Sequence, residues 1–319
     1  MRIRKLLAGG FLTAFALALS GCGAALKDAY PIEERIEGEI LPESDSLAQG
    51  FAAELCVVTG DSPEDADVTA EAAAVFDLDG REVIYSKNAF ERLYPASTTK
   101  VMTALVAIKY GNLQDEVTVT EDAVITESGA TLAGIEPGDQ LTLEQLLYGL
   151  MIPSGNDAGA AIAVHMAGSI EGFADMMNEE ARRLGAVDTH FVNPHGLHDP
   201  DHYTTAYDLY LIFNEALKQP MFRTVTGTTS YTASYQGAGG GTVTKTWSGG
   251  NWYMTGERQE PDGLTVFGGK TGTTSAAGNC LIMAIRDTDD HEYVSVVMKA
   301  AGRPALYDNM SNIISKIVK

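Results

Sequence analysis

Short apolar runs bounded by turn residues mark both ends of the chain, and apolar residues at helical spacing mark its middle. Residues 71–77 and 82–86 read as two strands around Asp77-Leu78-Asp79-Gly80, a turn signal. Pro95 then opens a helix over 97–110, with Val101, Leu105 and Ile108 on one face. Thr142 followed three residues later by Gln145 makes a capping-box pattern before a helix over 143–151. Two more helices, over 156–167 and 169–184, are separated by Gly168. After Pro220 the pattern changes. Residues 224–247 are rich in Thr, Tyr and Gly, and Gly237-Ala238-Gly239-Gly240-Gly241 parts two β-like runs, which predicts a hairpin with a glycine tip. Residues 264–270, 279–285 and 293–299 read as strands, and 306–318 as a closing amphipathic helix. Strands at both ends around a helical middle imply an α+β fold, an antiparallel sheet completed by both ends of the chain and flanked by helices.

Composition supports a folded chain with a sizeable core, 45% hydrophobic over 319 residues. The formal charge of −21 would repel phosphate backbones and argues against nucleic-acid binding. The first 21 residues stand apart: Arg2, Arg4 and Lys5 precede a short apolar stretch, the pattern of an export signal and too short to span a membrane. Small residues directly before Cys22 resemble the lipobox of bacterial lipoproteins, in which that Cys becomes the lipid-bearing N-terminus. The alternative is an ordinary signal peptide with an incidental Cys. Residues 22–50 are acidic and poor in large apolar residues, and read as a tether to a domain over 51–319. The chain is thus expected outside the cytoplasm, on the outer face of the membrane or in the periplasm, anchored by Cys22. In that setting Cys56 and Cys280 either pair or remain two buried thiols.

Three short motifs carry chemistry. In Ser97-Thr98-Thr99-Lys100 the i, i+3 spacing puts the Lys100 amine beside the Ser97 hydroxyl. A serine nucleophile needs an adjacent base, and a lysine can serve once burial and a neighbouring cation lower its pKa. Alone, this pattern equally fits an ordinary helix start with a solvated lysine. Ser154-Gly155-Asn156 lies between two apolar helices, where a hydroxyl and an amide can relay a proton and hold a substrate amide, or simply cap a helix. Lys270-Thr271-Gly272-Thr273 ends a strand, where a cation and hydroxyls beside a glycine can receive a carboxylate and a peptide backbone. A plain strand exit is the alternative.

In this order, Ser-x-x-Lys, Ser-Gly-Asn and Lys-Thr-Gly resemble the penicillin-recognising serine enzymes. The surrounding text (Pro95-Ala96-Ser97, Pro153 to Ala158, Asn193-Pro194-His195-Gly196-Leu197, Tyr203 to Asp208 and Lys270 to Thr274) is similar to the D-alanyl-D-alanine carboxypeptidases among the low-molecular-weight penicillin-binding proteins. The resemblance covers about residues 51–319. It implies a β-lactamase/DD-peptidase-like fold with a helical subdomain, no cofactor, and a peptidoglycan stem peptide as substrate. It also implies that Ser97 attacks the carbonyl between the terminal D-alanines, Lys100 takes the proton, and Ser154 passes one to the departing D-alanine. Asn156 would bind the substrate amide, and Lys270 with Thr271 the terminal carboxylate. The backbone N–H groups of Ser97 and Thr273, beside Gly272, would form the oxyanion hole. Arg303 stands about where the family carries a second carboxylate-binding residue.

Two features depart from the family. Asn251-Trp252-Tyr253-Met254 replaces the usual Asn-x-Leu-Leu, and the glycine-rich hairpin before it is distinctive. The chain also ends soon after the closing helix, where many relatives carry a further domain, so attachment is expected through Cys22. A class A β-lactamase is a rival reading, but no Glu-x-x-Leu-Asn stretch lies between Asn156 and Lys270. That predicts long-lived acylation by β-lactams. A wall-binding protein without catalysis has no need of Ser97 and Lys100 together. His190, His195, His198 and His202 lie near Asp199 and Asp201, yet their spacings fit no zinc pattern, and a hydrogen-bonded loop beneath the active site is expected, with no metal.

Overall fold

Residues 55–318 are described by a computed structural model. The expected signal segment, Cys22 and the tether over 22–50 lie outside the described residues. The first strands are β1 (Ala72–Asp77) and β2 (Glu82–Lys87). A 3-10 turn (Ala96–Thr99) leads into α1 (Lys100–Tyr110), then β3 (Glu116–Thr118), β4 (Gln140–Thr142), α2 (Leu143–Met151), α3 (Asn156–Ala167) and α4 (Ile170–Arg183). The second half brings α5 (Ala206–Leu217), α6 (Pro220–Thr226), β5 (Ser230–Gln236), β6 (Thr242–Ser248) and α7 (Trp252–Thr255). It closes with β7 (Leu264–Thr274), β8 (Gly278–Asp287), β9 (Glu292–Ala300) and α8 (Arg303–Ile314).

The main sheet runs β2-β1-β9-β8-β7, with every neighbouring pair antiparallel. The first and last strands of the described residues therefore do meet in one sheet: Ala72 pairs with Met298 and Asp77 with Tyr293. β8 is apolar and buried from Cys280 to Ile285 because both of its faces are covered. One face packs on Leu306, Tyr307, Met310 and Ile313 of α8, and the other on the helical core around Leu105, Ile162 and Phe213.

A second sheet, β3-β4-β5-β6, was not foreseen. Its hairpin, β5–β6 with a tip over 237–241, is the one expected from the glycines, and β4 joins it through Gln140 opposite Gln236. Trp247 of β6 donates from Nε1 to the Ala133 carbonyl at 2.9 Å, so this sheet props the 131–135 loop. The helix expected over 97–110 begins instead as a 3-10 turn. Thr98 Oγ1 donates to Pro95 O at 2.8 Å and Thr99 Oγ1 to Ala96 O at 2.7 Å, which draws the chain into i, i+3 geometry. The capping box forms as expected, with Gln145 N donating to Thr142 Oγ1 at 3.1 Å.

Cys56 and Cys280 do not pair; both are free and buried. Cys56 Sγ lies 3.2 Å from Asp77 O, at one end of β1. Cys280 sits beside the opposite end of the sheet, its Sγ 3.6 Å from Ala277 O. The length of a six-residue strand separates these ends, about 17–20 Å, whereas a disulfide needs Cα atoms within about 7 Å.

Candidate active site

Ser97 stands in the 3-10 turn directly after Ala96, a non-glycine residue at φ +49°. Strand β7 runs against this turn. A Cβ on Gly272 would lie 2.8 Å from Ser97 N and 2.9 Å from Pro95 O, so only glycine lets the strand approach Ser97 this closely. Lys100, the first residue of α1, is wholly buried. Its Nζ lies 2.9 Å from Ser97 Oγ, 2.7 Å from Asn156 Oδ1 and 2.7 Å from His195 O. Burial, reinforced by the charge of Lys270 and opposed by Asp157, pushes the Lys100 amine well below the usual lysine range. A neutral amine has two N–H donors, and the amide and carbonyl oxygens use both. Its lone pair is then left for the Ser97 hydroxyl, the geometry a general base requires.

Ser154 joins α2 to α3 at φ +64°, a left-handed conformation that costs a non-glycine residue about 1 kcal/mol or more. The turn is held by Gly155 N donating to Gly149 O at 3.0 Å and Asn156 N to Thr131 O at 2.8 Å. A Cβ on Gly155 would meet Ala133 and the Gly149 carbonyl at 2.7 Å. Held in this way, Ser154 Oγ accepts from Lys270 Nζ at 3.0 Å, and Lys270 also donates to Thr271 O at 2.9 Å. Burial pushes the Lys270 pKa down to about 7. Two serine–lysine pairs thus face one groove, lined by Ser97, Ser154, Lys270, Thr271, Gly272, Thr273 and Arg303.

Asn156 reaches Lys100 but is itself buried. Thr273 is exposed, its hydroxyl donating to Asn279 Oδ1 at 3.1 Å. Arg303, the first residue of α8, reaches the groove rim, where its guanidinium donates to the Gly250 carbonyl.

Asp157, which the sequence marks only as a neighbour of Ser154-Gly155-Asn156, organises one wall. Its carboxylate accepts from the backbone N–H groups of Ala133, Gly134, Ile135 and Ala158 at 2.7, 2.7, 3.1 and 2.9 Å. This clamp fixes the loop that carries Thr131 into the groove. The expected histidine loop does lie beneath the site. His195 supplies the carbonyl to Lys100, and His202 Nδ1 accepts from Val192 N at 3.1 Å. That bond leaves the proton on His202 Nε2, 2.8 Å from Thr99 Oγ1. His190 bonds to Asp201 O and His198 meets Tyr94 edge-on. Among the described residues no three His, Cys, Asp or Glu side chains converge as a metal site.

The family model for D-alanyl-D-alanine carboxypeptidase matches residues 59–302. The chain belongs to that family. The resemblance read from the three motifs is borne out, and so is the fold. The D-alanyl-D-alanine carboxypeptidase DacF of Bacillus subtilis (strain 168) is 40% identical over 50% of this chain and 42% of its own length. DacD of Escherichia coli (strain K12) is 32% identical over 80% of this chain and 64% of its own. The chain thus spans less than two thirds of these two relatives. The D-alanyl-D-alanine carboxypeptidase of Streptomyces sp. (strain K15) is 36% identical over 63% of this chain and 71% of its own. The crystal structure of the Streptomyces K15 DD-transpeptidase superposes with a TM-score of 0.72 at 31% identity, covering 78% of this chain and 97% of that one. A D-alanyl-D-alanine carboxypeptidase structure from Mycobacterium tuberculosis H37Rv gives 0.70 at 29% identity, covering 82% of this chain and 94% of that one.

Proposed function

We propose that this chain is a serine-type D-Ala-D-Ala carboxypeptidase that trims peptidoglycan stem peptides. The observation that carries the reading is the buried Lys100 amine, with two fixed acceptors and Ser97 Oγ as its third neighbour. Ser97 Oγ attacks the carbonyl carbon between the two D-alanines as its proton moves to Lys100. The C–N bond then breaks, and the departing amine of D-alanine takes a proton through Ser154. Water hydrolyses the Ser97 ester, returning the free serine and the shortened peptide. Lys270 and Thr271, with Arg303, receive the terminal carboxylate. The N–H groups of Ser97 and Thr273 face the developing oxyanion. A β-lactam acylates Ser97 by the same attack. Cys22 as a lipidated N-terminus would hold the domain at the outer face of a membrane, which suits a polymeric wall substrate.

D-alanine release from a peptide ending in D-Ala-D-Ala is the direct test. The wild type is expected to release it and Ser97→Ala is not. Release that survives Ser97→Ala would overturn the reading.

A further inference from the structure

The departure Asn251-Trp252-Tyr253-Met254 borders the groove through Asn251 and Met254, and both of its aromatic rings pack against Tyr307. The Trp252 ring lies parallel to the Tyr307 ring, with centroids 4.6 Å apart and 17° between the planes. The Arg303 guanidinium lies 5.0 Å from the Trp252 ring centroid. Arg303 and Tyr307 thus both pack on the Trp252 ring. Tyr307 Oη accepts from Trp252 N at 2.9 Å, which ties the backbone of α7 to α8. Asn251 Oδ1 accepts from Tyr253 N at 3.2 Å and caps α7. Arg303 is held a second time by the Gly250 carbonyl. One of its five N–H donors serves that bond, and the side chain lines the groove together with Lys270 and Thr271.

A free arginine at a helix start would sample many rotamers, and each must be given up to bind a carboxylate. The Trp252 ring and the Gly250 carbonyl restrict that freedom before the substrate arrives. A planar guanidinium suits both tasks, since it can lie over an indole and still present N–H groups at its edge. Lysine has no flat face to stack.

We propose that Trp252 is a positioning residue for carboxylate recognition: it holds Arg303 at the groove rim, so that Arg303 and Lys270 together select ligands with a free terminal carboxylate. The inference rests on the proposed use of the groove and adds a specificity device to it.

The test compares acylation of the full protein by a penicillin as the free acid and as its methyl ester, which lacks the charge. Trp252→Leu is expected to lower the acid-to-ester rate ratio about threefold to fivefold. Trp252→Phe, which keeps an aromatic face, should restore most of the ratio. Arg303→Lys should lower it as well, and adding Trp252→Leu to Arg303→Lys should lower it no further. With the acid peptide, Trp252→Leu should raise KM more than it lowers kcat. A ratio that stays at the wild-type value in Trp252→Leu, or additive losses in the double variant, would overturn the proposal while leaving the carboxypeptidase reading in place. A wild type that neither form acylates would overturn both. Thermal midpoints accompany each variant, and if Trp252→Leu fails to fold, Trp252→Gln takes its place with the same expected loss and the same overturning result.

Discussion

The Lys100 amine rests 2.7 Å from the His195 carbonyl, 95 residues away along the chain. That contact, with Asn156 on another side, determines what the lysine can do. Two oxygen acceptors orient the amine, and burial beside a second lysine favours its neutral form.

Lys100→Arg should therefore abolish acylation although it keeps a cation in place. A guanidinium stays protonated and cannot take the Ser97 proton. The loss expected is that of a general base, about 10²–10⁴-fold in the acylation rate, read with a fluorescent penicillin under single-turnover conditions. A variant within about threefold of the wild type would show that Lys100 is not the base.

The two lysines set opposite limbs of the pH profile. Lys100, pushed well below its ordinary value by burial and the neighbouring Lys270, must be neutral to accept the proton, so activity rises with pH as it deprotonates. Lys270, lowered to about 7 by burial, loses its charge above that pH and with it the attraction for a carboxylate. A bell-shaped kcat/KM is expected for the acid peptide, with an alkaline limb beginning near neutrality and appearing mainly in KM. A flat profile to pH 9 would show that Lys270 remains charged in the free protein.

His195 and His202 make the fold acid-sensitive. Burial is the main cause holding both near a pKa of about 3, below the ordinary 6.5. Below pH 6.5 the unfolded chain binds two protons that the native state excludes. Their stabilisation is thus complete above 6.5 and lost as pH falls towards 3, at about 1.4 kcal/mol per pH unit for each histidine. Asp208 opposes this: burial raises it to about 6, so the native state takes up one proton earlier than the unfolded chain. His202→Gln should lower the slope of unfolding free energy against pH by one proton's worth between pH 4 and 6, measured by urea unfolding. An unchanged slope would place the titration elsewhere.

Asp157→Asn places an amide NH₂ among four backbone N–H donors that the carboxylate now satisfies. A loss of about 2–3 kcal/mol in unfolding free energy is expected. Penicillin acylation should slow with it, because Thr131 and Asn156 share that loop through the Asn156 N to Thr131 O bond at 2.8 Å. Full stability in this variant would show that the clamp is dispensable.

Much of this was legible beforehand, wherever a local rule governs. The Ser97–Lys100 spacing, the Thr142–Gln145 box and the glycine-tipped hairpin are each decided within a few residues, and each stands where the pattern put it. β3 and β4 escaped because three residues are too few to show a period. α5 is buried nearly all round and so carries no amphipathic stripe, and α6 is only seven residues long.

By itself, then, the sequence determined that Ser97 and Lys100 stand side by side and in what order the three motifs follow, because side chains three residues apart on a helical turn must be neighbours. The tertiary structure alone decided that Lys100 answers to His195, that Asp157 clamps a distant loop, that Arg303 lies on Trp252, and that Cys56 and Cys280 stand at opposite ends of a sheet. Those contacts join residues whose separation along the chain carries no periodic signal. They arise only when strand register and helix packing have fixed which backbone lies beside which.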